Sequence, residues 1–193
     1  MSIEKITVFD LDGTLISVNS FTEVSRKFLL RLLKKKQGLC LLNILLLYIM
    51  RKSRIISHLY FKRYIMNRFE EHLSEEEKQN LVNEVTEKAI QQNVYEIFCR
   101  TSPILVSTAS PYSIVSRIKF LDNIPNICSL DPRSDYPSSN NSAGGKIENL
   151  KIYYGSMPVE VIDFYTDSYD DAPMIAFAQN AYLCSAKGIQ KVK

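Results

Sequence analysis

FDLDGTL, residues 9–15, is the stretch from which the rest of this 193-residue chain can be read. The run before it, IEKITV at residues 3–8, is rich in β-branched apolar side chains and predicts a buried strand ending at Phe9. Side chains alternate with period 2 along an extended backbone, so Asp10 and Asp12 share a face, and Gly13 permits a sharp exit. Two carboxylates in one place repel unless a cation or a proton neutralises them. The pair therefore predicts a metal site or an acid/base pair at the carboxyl end of a strand, where ligands collect in open α/β sheets.

Working outward, four further strands are expected in SPILVSTAS (102–110), IPNICSL (124–130), VEVIDFYTDS (159–168) and AYLCS (181–185). Helices should fill the spaces between them. FTEVSRKFLLRLL (21–33) reads as one helix, KKKQG as a break, LCLLNILLLYIM (39–50) as a second helix, and residues 53–68 as a basic third. Ser74 and Glu77 form a capping-box pattern that opens a charged helix running to about residue 92. Ser110 is expected to cap the next helix with Pro111 at its first position, and residues 131–145 read as a turn-rich surface loop. A short helix from Lys146 should stop at Gly155, and DDAPMIAFAQ (170–179) should be a helix with Pro173 in its first turn. Strands alternating with helices predict an α/β fold with a doubly wound, Rossmann-like parallel sheet.

The net charge of +3 conceals a division. Residues 26–68 hold twelve Lys or Arg and no Asp or Glu, which leaves the remainder at −9. A strongly basic helical module thus interrupts an acidic remainder. Within it, residues 39–50 are almost wholly apolar, yet twelve helical residues span only about 18 Å, short of the roughly 20 residues that cross a bilayer. Their first reading is a helix buried between insertion and core. Cations on both sides (Lys34, Lys35 and Lys36, then Arg51, Lys52 and Arg54) leave open a segment that dips into an anionic membrane surface. Nucleic acid is not expected as a partner, because the basic stretch lacks the interleaved polar and aromatic surface that such readers use. The four cysteines are too dispersed for a zinc cluster or disulfide framework, and no cleavable signal precedes the first strand, so a cytoplasmic setting is expected. His58 and His72 are read as surface or packing residues.

Strand order would bring Ser107, Lys146 and the acidic group Asp167, Asp170 and Asp171 beside Asp10. With these motifs the chain resembles phosphatases of the haloacid dehalogenase (HAD) superfamily, in the branch with a helical C1-type cap. DLDGTL (10–15), LVSTAS (105–110), the lysine of GGKIENL (144–150) and TDSYDD (166–171) are similar to that family's four motifs in order and spacing. The resemblance implies an Mg²⁺-dependent phosphomonoesterase with an aspartyl-phosphate intermediate: Asp10 as nucleophile and Asp12 as general acid, then base. It implies metal ligation by Asp10, the Asp12 carbonyl and Asp167, phosphate binding by Ser107, the Thr108 N–H and Lys146, and support from Asp171 and Asp170. Two departures stand out. Thr166 and Ser168 replace the glycines of a common fourth motif, as in related members that carry TDS or SDS. Asn19 stands where phosphoserine phosphatases carry a glutamate for the substrate ammonium, which argues against an amino-acid phosphate.

Several substrates fit this reading. The basic, leucine-rich insertion is similar to that of phosphatidylglycerophosphatase C-type enzymes, which implies a phospholipid or prenyl-type phosphate met by a peripheral protein at the cytoplasmic membrane face through residues 26–68. A soluble phosphatase or phosphotransferase for a small phosphorylated metabolite is the alternative, and should have a closed, polar pocket with residues 39–50 packed inward. A non-catalytic interaction protein that keeps the fold is the third reading.

Overall fold

The computed structural model of the chain describes residues 3–133 and 140–193. Six strands form one sheet: β1 (Glu4–Phe9), β2 (Ile104–Pro111), β3 (Asn126–Ser129), β4 (Val159–Thr166), β5 (Asn180–Ser185) and β6 (Gly188–Lys191). Their order is β3-β2-β1-β4-β5-β6, parallel except for β6, which returns antiparallel on β5. The doubly wound α/β sheet expected from the sequence is present. β6 was not anticipated, because GIQK is too short and polar to show a strand period.

β1 lies between β2 and β4, so Ile6, Val8 and Phe9 are buried. Phe9 pairs with Val106 on one side and stacks on Tyr165 at 4.7 Å on the other. The chain winds from β1 toward β2 and β3, and then from β4 toward β5. The change of direction falls beside β1, where such sheets open a crevice at their carboxyl ends.

Between β1 and β2 come five helices: α1 (Ser20–Lys34), α2 (Gly38–Lys52), α3 (His58–His72), α4 (Glu75–Thr86) and α5 (Gln92–Arg100). α1 buries Phe21, Val24, Phe28 and Leu32, one stripe at helical spacing, and Phe28 meets Phe69 of α3 edge to face at 5.7 Å. α3 begins at His58, five residues later than expected, because Ser57 caps it and residues 53–57 turn. The Ser74–Glu77 capping box is formed, but α4 stops at Thr86 and a 3-10 turn leads toward α5.

α2 departs most from expectation. Burial between insertion and core was its first reading, yet Ile44 is its one buried residue. Leu39 is 75% exposed, and Leu42, Leu45, Leu46 and Ile49 are each half exposed or more. α2 packs one side on α1 and α3, and a helix apolar all round then leaves its other side bare.

The remaining helices are short: α6 (Tyr112–Val115), α7 (Gly144–Tyr154) and α8 (Ala172–Phe177). β2 continues through Pro111, which caps α6, so the predicted Ser110 cap is displaced by one residue. Gly155 ends α7 with φ of +58°. Residues 134–139 of the predicted 131–145 loop lie outside the described residues.

Candidate active site

Asp10 leaves β1 with its N–H donating to the Tyr165 carbonyl at 2.9 Å, which fixes it at the point where the winding reverses. Its Oδ1 accepts from Lys146 Nζ at 2.7 Å, and the same ammonium donates to Asp171 Oδ2 at 2.7 Å. Asp171 is held in turn by the Thr166 hydroxyl at 2.9 Å. All four side chains are buried. Burial pushes the Asp10 carboxyl up to about 7 against the pull of Lys146, with Asp171 and Asp12 adding to the rise. Burial acts to lower Lys146, but its two carboxylates hold the ammonium above the usual lysine range. One cation thus serves two buried carboxylates, and the site keeps an excess of negative charge.

Asp12 faces a different set of donors. Oδ1 accepts from the Ser20 N–H at 3.0 Å, and Oδ2 from the Ser110 hydroxyl at 2.6 Å, with Ser20 Oγ a further 2.6 Å from Ser110 Oγ. Burial raises its pKa, opposed by the bonds from Ser110 and Ser20. Ser20 was not singled out in the sequence and Ser110 only as a helix cap, since their pairing spans 90 residues and depends on α1 lying over β2.

Gly13 has φ of +76°, and a Cβ there would overlap the Asp167 carboxylate. Gln91, just before α5, donates to the carbonyls of Gly13 and Thr14 and braces the loop. Gly13→Ala is expected to lower kcat/KM at least about tenfold by displacing Asp167, on top of about 1–2 kcal/mol of backbone strain. Steady-state kinetics and urea unfolding check the two parts.

Ser107 and Thr108 end in the same crevice, both buried. The Asn141 amide donates to Ser107 Oγ at 3.0 Å, to the Thr108 carbonyl at 3.1 Å and to the Ile127 carbonyl at 3.0 Å. Because Ser107 Oγ accepts there, its own O–H can donate to a bound group. Asn149, one turn after Lys146 on α7, donates to Asn141 Oδ1 at 3.1 Å. Asn141 was missed because it lies in a turn-rich stretch where an asparagine usually serves the local backbone. The i, i+3 spacing of Lys146 and Asn149 was the available signal.

One predicted position, Asp170, stands apart from this group, and Asn19, noted as a departure from the family pattern, serves a helix end. Asp170 is exposed, and among the described residues its carboxylate makes no bond to Asp10, Lys146 or Asp171; its backbone N–H donates to Ser168 Oγ. Asn19 caps α1, its amide oxygen accepting from the N–H and hydroxyl of Thr22.

The donor set suits a hard divalent cation. Asp10, Asp167 and the Asp12 carbonyl offer oxygen only; burial raises the pKa of Asp10 and Asp12, and partial desolvation raises that of Asp167, which is exposed to solvent. Among the described residues no three His, Cys, Asp or Glu side chains converge as a metal cage. Two carboxylates and a carbonyl are oxygen donors of the kind that could hold a hard divalent cation.

A cavity of about 830 Å³ adjoins Asp12 and Ser110 and extends between α1, α2 and α3. Its walls are mostly apolar, including Leu29, Leu41, Ile44, Phe61 and Ile65, and its wall residues Leu33, Leu45 and Tyr48 are also exposed to solvent. His58, set aside in the sequence, lines it, with its pKa lowered to about 4 by burial, Lys62 and Arg51.

No protein-family model and no curated protein sequence matches the chain. Solved structures do. A protein of unknown function from Bordetella pertussis aligns with TM-score 0.64 and 14% identity over 93% of this chain and 89% of its own. A HAD family hydrolase from Salmonella enterica aligns with TM-score 0.55 and 13% identity, over 92% and 61% of the two chains. A substrate-bound phosphoserine phosphatase aligns with TM-score 0.52 and 13% identity, over 94% and 85%. The fold of this chain is therefore one that it shares with a HAD family hydrolase and a phosphoserine phosphatase.

Proposed function

We propose that the chain is an Mg²⁺-dependent phosphomonoester hydrolase that works through an aspartyl-phosphate. The observation that carries this reading is the buried ammonium of Lys146, 2.7 Å from both Asp10 and Asp171, at the strand ends that also bear Ser107 and Asp12. Asp10 attacks phosphorus while the bond to the leaving oxygen breaks. Asp12, its pKa raised by burial, gives that oxygen a proton and then takes one from the water that cleaves the acyl phosphate. Ser107 and the Thr108 N–H bind phosphoryl oxygens, and Lys146 offsets charge that builds during transfer. Asp10, Asp167 and the Asp12 carbonyl would hold Mg²⁺, which supplies further neutralisation of the phosphate. Asp171 positions Lys146; Asp170 has no role in this scheme. Residues 16–100 act as a cap over a core of 1–15 and 101–193. Hydrolysis of an aryl phosphate that stops with chelator and returns with Mg²⁺ tests the scheme.

The substrate side of the reading is an amphiphilic phosphate ester of phospholipid or prenyl type. The alternative of a small polar metabolite called for a closed polar pocket with residues 39–50 turned inward, whereas the cavity is apolar and α2 mostly exposed. At the two ends of α2, Lys34, Lys36, Lys52 and Arg54 make no ion pair among the described residues. No helix among the described residues is long and apolar enough to cross a membrane. The expected mode is therefore peripheral, with α2 against the interface and the cations toward anionic headgroups, each worth about 1 kcal/mol. Cosedimentation with anionic vesicles should be salt-sensitive and fall when Leu42 and Leu46 are replaced by serine; salt-independent or absent binding refutes the membrane part alone.

A further inference from the structure

The cavity beside Asp12 carries positive charge that the scheme above leaves unused. Lys62 is buried, at 4% exposure, on a helix that faces the strand end of the crevice. Its Nζ donates to the Ala109 carbonyl at 2.8 Å and lies 5.6 Å from the centre of the Phe21 ring. No carboxylate pairs with it among the described residues, and the same holds for Arg51, which lines the same cavity from α2. Asp12 is the only acidic residue on the cavity wall among the described residues. Ala109 lies between Thr108 and Ser110, so the ammonium is fixed next to the crevice and not at the outer rim.

A buried ammonium with one carbonyl acceptor keeps two N–H donors, and its desolvation is offset only in part by Asp12, the acidic residue on the same cavity wall. Burial, reinforced by Arg51, lowers Lys62 to about 8 even with Asp12 opposing the shift. A buried ammonium and a half-buried guanidinium that repel one another on the wall of a mostly apolar cavity are what a receptor for an anion requires.

We propose that Lys62 and Arg51 form a second anion-binding subsite, so that the preferred substrate is a phosphomonoester whose leaving portion bears another acidic group beside its apolar part. This rests on the phosphatase reading and deepens it. The second anion sits at Lys62 and Arg51 on the cavity wall, of which Ser107 and Lys146 are not part: these two take the phosphoryl group that is transferred, and Lys62 and Arg51 take the acidic group that leaves with the alcohol. An acidic group on the leaving portion could be a carboxylate or a phosphodiester, and the chemistry that Lys62 recognises is common to both.

The test compares decyl phosphate with phosphorylated hydroxydecanoates, carboxylate next to the ester carbon or one carbon further, and with a phosphodiester-bearing analogue of similar length. Wild type should favour at least one acidic analogue by about tenfold or more in kcat/KM, mainly through KM. Lys62→Met should erase most of that ratio and Lys62→Arg keep more of it. A ratio that is the same in wild type and Lys62→Met, or a preference for decyl phosphate, overturns the inference while leaving phosphatase activity standing. Where Lys62→Met unfolds by circular dichroism, Arg51→Gln gives the same comparison. Should wild type hydrolyse none of these esters, the phosphatase reading fails separately, and calorimetry with the same compounds decides the subsite: binding weakened about tenfold by the Lys62 change upholds it, and unchanged or absent binding rejects it.

Discussion

Asp10→Asn is expected to remove hydrolysis, lowering kcat by at least about 10⁴-fold, because an amide cannot form the acyl phosphate on which both halves of the reaction depend. The fold should survive the change. Asparagine is nearly isosteric, its Oδ1 can still accept from Lys146, and the carboxylate it replaces is one whose burial raises its pKa. Thermal melting at or above the wild-type temperature, together with lost turnover of an aryl phosphate, separates a chemical from a structural effect. Equal activity of Asp10→Asn and wild type would instead favour a protein that keeps the fold without the chemistry.

Lys146→Met should be harmful in both respects. The ammonium is the shared counter-charge of Asp10 and Asp171, and its removal strands two buried carboxylates together. Breaking a buried ion pair at one end costs about 3–5 kcal/mol, and losing a fixed charge at a phosphoryl site about 10²–10³-fold in kcat. Urea unfolding and kcat report the two losses independently. Lys146→Arg retains charge, but a planar guanidinium cannot reproduce a point charge placed between two carboxylates. It should recover more stability than activity.

Much of this arrangement could be read from residue types alone. The five parallel strands were visible because each is an apolar run between turn signals, and the capping box at Ser74 and the stop at Gly155 are local chemistry. Asp10, Ser107 and Asp167 could be proposed together because residue order fixes their strands, and Lys146 because it opens the helix that follows the third strand. What escaped is what only distant packing decides. Ser20, Ser110 and Asn141 are common turn and cap residues until a partner many positions away makes them hold Asp12 and Ser107. α2 was misjudged for another reason. A helix apolar on every side carries no polar face to say which side is covered, so its sequence is equally consistent with burial and exposure. Asp170 followed its neighbours into the predicted site by proximity in sequence, although the 3-10 turn Tyr169–Asp171 turns its side chain to solvent.

The bond between Lys146 and Asp10 joins positions 136 residues apart, and Ser110 reaches Asp12 across 98. Contacts this distant raise the contact order, and their loop-closure entropy must be met before they return any stabilisation. No early local structure, whether helix, hairpin or the isolated helical segment, contains both ends of either bond. The charges that repel one another are therefore brought together only once β1, β2 and β4 lie side by side. The assembled site in this chain is a property of the completed sheet, and its recovery during refolding follows the slowest long-range step.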